Sequence, residues 1–309
     1  MTAQAKATTK KTKTTKPKTT AKPKAAAASK AKVSATSKAP SQATSKSPAK
    51  SNNNKFMTVL NDWNFRLGAL LVLLAVAVVV LGGSHTVSIT TRYLTKDALA
   101  SEATGHAVYG AATRHLWDVH VSWIVAKFLL IFAVTYLLAA TVWKKRYQAW
   151  LARGVNKLRW VGFGLGGGVV MVAVLMLSGI TDVLTLTLTL GSIGLAGLLA
   201  ASAELLGGER RLRRLLCAGA VVAVFLPWLV FVRSVGAVPM YGAQLPLYMY
   251  FLYAVVTLLL VAVGAAAHMR NMKRGKWADT AYAEKMFMIL AFLTAVLPAL
   301  QIFAGALQP

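Results

Sequence analysis

The stretch Leu158–Glu204 reads LRWVGFGLGGGVVMVAVLMLSGITDVLTLTLTLGSIGLAGLLAASAE, and its reading decides the fold. It is apolar almost throughout and far too long for one membrane crossing, which takes about 20 residues of helix. Gly179 and Asp182 interrupt it, with Asp182 or Thr181 placed to cap a new helix. Two spans result, Leu158–Ser178 and Asp182–Glu204. Working outward, the same kind of run recurs at Trp63–Leu81, Val119–Val142, Arg214–Arg233, Gln244–His268 and Ala283–Leu307. Pro298 lies inside the last of these and should kink it.

These runs are apolar on every side, so lipid rather than a protein core must surround them. A membrane barrel would alternate in short strands instead. The composition agrees: 56% of the 309 residues are hydrophobic, and the mean hydropathy is +0.55. The expected class is an all-α membrane protein, a bundle of seven transmembrane helices over 58–309 with a long outer loop at 82–118.

Charge sets the expected orientation, because short cytoplasmic loops retain Lys and Arg. The gap after span two carries Lys144, Lys145, Arg146, Arg153 and Lys157. The gap after span four carries Arg210, Arg211, Arg213 and Arg214, and that after span six carries Arg270, Lys273, Arg274 and Lys276. The intervening gaps carry none or are mixed. The N-terminus is therefore expected in the cytoplasm, the C-terminus outside, and the chain in a plasma membrane of prokaryotic type.

Residues 1–55 hold fourteen Lys and no acid, leaving +12 of the net +26 for the rest (26 − 14). Residues 1–57 are rich in Lys, Ala, Thr and Pro and cannot bury enough apolar surface to offset ordering, so a disordered cytoplasmic tail is expected. No cleavable signal peptide is read there. The lysines could bind anionic headgroups, nucleic acid or an acidic protein, or simply form a solvated spacer. Without interleaved aromatic residues there is no sign of base stacking.

Few motifs suggest chemistry. Gly162-Phe-Gly164-Leu-Gly166-Gly167-Gly168 contains a GxGxxG, but within a span it reads as a small-residue face for close helix contact, not as a dinucleotide loop. Lys127 lies about two turns into span two. Such a residue is costly in lipid and is the intramembrane candidate for function, by lining a polar cavity, pairing with Asp118 or Asp182, or snorkelling outward. Asp182 reads as a helix cap, and Glu204 as an end-of-span residue paired with nearby arginines. His85, His106, His115 and His120 cluster around the outer loop without metal-ligand spacing, and His268 reads as interfacial. Cys217 is the single cysteine and reads as a packed residue. No catalytic residues and no metal site are expected, and an enzyme is not.

Several ordered segments resemble the heliorhodopsins, the inverted relatives of the microbial rhodopsins. Lys145-Arg-Tyr147 with Leu158-Arg-Trp-Val161 looks like that family's second inner loop and third helix. Ser178-Gly-Ile-Thr-Asp182 resembles its third-to-fourth turn, and Leu226-Pro-Trp228 its fifth helix. Gly275-Lys-Trp277 and Gln301-Ile-Phe-Ala-Gly305 resemble the region of its seventh. The resemblance covers about Leu60 to Pro309. It implies a rhodopsin-like seven-helix bundle, an outer loop folded as a small hairpin, and a homodimer. It also implies retinal held as a protonated Schiff base on a seventh-helix lysine.

Here the sequence departs from the pattern. Counting from the matched segments, the lysine position falls on Ala295, the counterion glutamate on Gly162, and the polar histidines of the first two helices near Leu71 and Thr135. A protonated Schiff base needs both an amine and a nearby negative charge. Losing the two together is self-consistent, since neither is tolerated buried alone. Span seven has no lysine except Lys285 at its edge. The expectation is a non-enzymatic membrane sensor or scaffold with no covalent cofactor. If a pocket persists, the resemblance implies Phe163, Trp228 and Tyr250 as its aromatic walls. Alternatives are non-covalent or atypical retinal binding, a small-solute transporter or channel using Lys127 and Thr185, Thr187 and Thr189, and a membrane tether acting through the basic tail.

Overall fold

A computed structural model describes residues 48–206, 209–242 and 244–306. The Lys-rich tail up to residue 47, and the readings placed on it, lie outside the described residues. Among the described residues seven helices are long and apolar enough to cross a membrane: Phe56–Leu81, Val121–Ala140, Lys157–Leu177, Val183–Leu205, Arg210–Ala237, Leu247–Asn271 and Thr280–Gly305.

In chain order the elements are α1 (Pro48–Leu81), β1 (Thr86–Lys96), α2 (Ala98–Thr104), β2 (Tyr109–His120), α3 (Val121–Ala140), α4 (Lys144–Ala152) and α5 (Lys157–Val161). A π-helical turn at Gly162–Gly166 then leads into α6 (Gly167–Leu177), so α5, the turn and α6 make one span. The rest are α7 (Val183–Leu205), α8 (Arg210–Ala237), α9 (Leu247–Asn271) and α10 (Thr280–Ala306).

Most spans differ from the sequence expectation at their ends. α8 starts at Arg210 rather than Arg214 and runs to Ala237; α1 begins at Pro48, upstream of the tail boundary expected at 57/58. The reason is general. Hydropathy marks only the part of a helix inside hydrocarbon, whereas backbone hydrogen bonding continues into the polar layer while side chains tolerate helix. Pro227 and Pro298 both sit inside continuous helices.

The outer loop is folded for most of its length. β1 and β2 pair antiparallel from Thr86↔His120 to Lys96↔Tyr109, with an irregularity between Ile89 and Thr90. β2 continues to His120, so α3 starts at Val121 rather than Val119, and the Val121 N–H donates to the His85 carbonyl at 3.0 Å. Asp97 caps α2 by accepting from Ala100 N at 3.0 Å, and Gly105 closes it with a φ of 70°. That left-handed conformation suits glycine.

The hairpin is pinned to the turn between the third and fourth spans. Thr90 N donates to Thr181 O at 3.0 Å, and the two threonine hydroxyls lie 3.2 Å apart. Asp182 beside them caps α7, accepting from Thr185 N at 3.0 Å and from the Thr185 hydroxyl at 2.9 Å. This bears out the capping expectation for Asp182.

α1 packs along α3, α7 along α8, and α9 along α10, while α3 also meets α6 and α10. The core is built of large apolar side chains, among them Leu71, Phe128, Phe132, Leu175, Leu252 and Phe287. Leu188 and Leu258 are examples of the opposite faces, exposed toward what would be lipid. The glycine-rich face brings the third and fourth spans into backbone contact. A Cβ added at Gly197 would stand 2.7 Å from the Trp160 carbonyl oxygen and 2.9 Å from the Gly164 Cα. The GxGxxG is thus a close-packing surface.

Candidate functional site

At the end of the bundle away from the hairpin, α4, α5, α7 and α10 close over a buried ionic cluster. Asn156 organises it. Its side-chain oxygen caps α5 by accepting from Arg159 N at 3.1 Å, its backbone N–H donates to Glu204 at 3.1 Å, and its amide nitrogen donates to Glu284. The cap places Arg159 one turn on, between two carboxylates. Its guanidinium lies 2.7 Å from Glu204 and 3.4 Å from Glu284, and all three side chains are only 5–6% exposed.

Tyr147 of α4 donates at 2.9 Å to Glu284 Oε1, the oxygen that Asn156 also reaches, while Arg159 faces Oε2. Burial, with the Glu284 charge beside it, pushes that phenol well above its ordinary range. Tyr147 therefore serves as a hydrogen-bond donor, not as a base. The Phe287 ring lies 4.0 Å from the Arg159 guanidinium carbon and covers its face. Arg270 clamps the adjoining loop by donating to the carbonyls of Trp277 and Ala278 at 3.0 and 3.1 Å and to the Thr280 hydroxyl at 3.0 Å.

A cavity of about 40 Å³ runs from this cluster into the bundle, bordered by Asn64, Thr135, Tyr136, Tyr147, Arg159, Gly162 and Glu284. Asn64 Nδ2 and Arg159 Nε are buried without a protein partner. The volume is enough for a water, and the lining supplies the several polar partners that one needs. Chemically the arrangement can hold charge and hydrogen bonds in low dielectric. It offers no activated nucleophile.

The residues singled out from sequence are scattered. Gly162 borders the cavity opposite Thr135, whose hydroxyl would lie 3.2 Å from an added Cβ. Ala295 is fully buried in the apolar core, as is Leu71. Phe163 packs on Phe132 and Trp160, while Trp228 belongs to a separate aromatic group with Phe231 and Tyr253, at centroid distances of 5.0 and 4.5 Å along that chain. Tyr250 is half exposed and makes no ring contact with either group. It is Tyr253, three residues on, that turns inward.

Lys127 is exposed on the outer surface of α3 and pairs with neither Asp118 nor Asp182. Of the threonines, Thr185 is spent on the cap, Thr187 bonds back to the Val183 carbonyl, and Thr189 is buried. Glu204 is paired with an arginine, Arg159 of the third span. His115 stands 3.1 Å from Asp118 on the exposed hairpin. Among the described residues no three His, Cys, Asp or Glu side chains converge as a metal site. Cys217 accepts from Asn271 Nδ2 at 3.1 Å. The sequence reading missed Glu284 altogether, and Asn156 and Tyr147 as its partners.

Seven apolar helices around a packed core define a multi-pass integral membrane protein of rhodopsin-like architecture. Within that class the assignment is specific: the chain belongs to the heliorhodopsin family, whose model matches residues 60–307. This is a family of light-sensing membrane proteins and not a classical enzyme family. No curated protein matches the chain.

Proposed function

We propose that this chain is a non-enzymatic membrane sensor or scaffold that has kept the family's bundle and given up its covalent retinal. One observation carries this reading. Ala295, at the position corresponding to the Schiff-base lysine, is sealed in the apolar core. The nearest lysine on the same helix, Lys285, is exposed and about 15 Å away along the axis. A one-turn shift cannot bring it into place. Gly162, at the counterion position, borders a cavity instead of supplying a carboxylate. An amine without a counterion in such a site would be strongly disfavoured.

The basic clusters at 144–157, 210–214 and 270–276 lie at the ends of spans and in the connections that alternate along the chain. They support a cytoplasmic N-terminus in a plasma membrane by the positive-inside rule. Leu94, Leu99 and Tyr109, exposed on the hairpin, support self-association as a homodimer.

The test is reconstitution of the full chain with all-trans retinal. The expected outcome is no red-shifted visible band and no adduct after borohydride. A band that survives detergent washing and is trapped by borohydride overturns the reading. A band that washes out indicates non-covalent retinal binding and favours the alternative of a light sensor with an atypically held chromophore.

A further inference from the structure

On the hairpin side of the bundle the seam between α1 and α3 carries a lateral groove of about 290 Å³. Its walls are Ala75, Val76 and Val79 of α1 and Trp123, Lys127 and Leu130 of α3. We propose that this groove seats an acyl chain of an anionic glycerophospholipid whose phosphate is held by Lys127.

The placement of the lysine argues for this. Lys127 is six residues into α3, about 9 Å below its first residue. Helical side chains lean toward the N-terminus of their helix. In α3 that direction leads back toward the hairpin end, so the stem crosses apolar wall while the ammonium rises toward headgroup depth. Trp123 lies one turn nearer that end on the same face and is 54% exposed, the station of an interfacial aromatic.

Charge supplies the second argument. Among the described residues Lys127 has no ion pair or hydrogen bond. Of the acids at that end of the bundle, Asp118 is held by Ser88 and His115, Asp182 accepts from Thr185 through Oδ2, Asp97 caps α2, and none of these nor Glu102 forms an ion pair with Lys127. A cation standing in an apolar wall must find its countercharge outside the chain. At this depth, what lies outside is the phosphate layer of the bilayer. The groove's apolar wall then suits the chain attached to that phosphate.

Cys217 is the only cysteine, so one reporter can be placed cleanly. In a Cys217→Ser background, Val80→Cys carries a bimane at the groove and, separately, Leu258→Cys carries one on a distant lipid-facing surface of α9. The full chain is placed in phosphatidylcholine nanodiscs containing a minor fraction of brominated-acyl phosphatidylglycerol, or the same fraction of brominated-acyl phosphatidylcholine. Quenching at Val80→Cys should show about a fivefold preference for the anionic lipid, the factor expected of one lysine at a charged surface. Leu258→Cys should show none.

Lys127→Gln should abolish the preference and Lys127→Arg should keep it. Val79→Phe, which narrows the groove with Lys127 in place, should remove the preference for the anionic lipid. Equal quenching by both lipids in the parent chain overturns the proposal, as does a preference that survives Lys127→Gln. Protection from both lipids that is relieved on dilution means that a second copy occupies the groove, and also overturns it.

Discussion

The Arg159 guanidinium lies 2.7 Å from the Glu204 carboxylate, joining the third span to the fourth through side chains that are about nineteen-twentieths buried. Glu284 of the seventh span approaches the same guanidinium at 3.4 Å. Three spans are thus tied at one point, by charges that each require the others.

Removing one member should therefore cost more than removing all. Glu204→Leu leaves Arg159 underpaired in low dielectric and should destabilise the protein by about 3–5 kcal/mol. Replacing Arg159, Glu204 and Glu284 together with Met, Leu and Leu should cost less, because no unpaired charge remains. Thermal unfolding in detergent, comparing the single and triple variants, checks the order.

Asn156 joins both carboxylates to the start of the third span. Asn156→Ala loses the cap, worth about 0.5–2 kcal/mol, and leaves a Glu284 oxygen short of a donor, worth about 1–3 kcal/mol. Asn156→Asp should be worse than Ala, since it sets a third carboxylate beside two. Melting temperatures of the two variants test this ranking.

The third and fourth spans meet where no Cβ fits. Gly197→Ala would press on the Trp160 carbonyl and the Gly164 Cα, which are backbone and cannot turn aside. A loss of about 1–3 kcal/mol is expected. Gly194→Ala, with nothing within 4 Å of the added carbon, should be close to neutral. Denaturation of the pair of variants separates close packing from a general cost of changing glycines.

Acid should loosen the hairpin. The Ser88 hydroxyl, and then His115, hold the Asp118 carboxyl below its usual value near 3.8. The Thr185 backbone N–H chiefly does the same for Asp182, where the hairpin docks. A depressed folded pKa contributes stability above the unfolded value, and that contribution is lost as pH falls through the folded value. Protection factors for hydrogen exchange in β1 and β2, taken relative to the intrinsic rate at each pH, should fall below about pH 4. Asp118→Asn should flatten the part of that dependence due to the hairpin itself.

Ala295→Lys should be poorly tolerated, because the position is fully buried and no carboxylate stands at Gly162. A loss of about 2.5–3.5 kcal/mol or more is expected for an unpaired charge at this depth. Yield and thermal stability of the variant check it.

The seven crossings and the Asp182 cap were legible in the chain, because in lipid the backbone must satisfy itself and apolar runs of spanning length can only be helices. The small-residue reading of Gly162–Gly168 was legible for the same reason. Family membership could also be recognised from ordered segments such as Leu158–Val161 and Gln301–Gly305.

The tertiary structure alone decided which polar residues meet. Arg159, Glu204 and Glu284 are separated by 45 and 80 positions (204 − 159 and 284 − 204), and no local pattern links them. Each looks like an ordinary end-of-helix charge until packing removes the water from all three. For Lys127 the depth left an inward role and outward snorkelling both open, because its azimuth on α3 depends on which face α1 and α10 cover. Periodicity finds a helix that is apolar all round, but by that very uniformity it carries no mark of which side faces protein and which faces lipid.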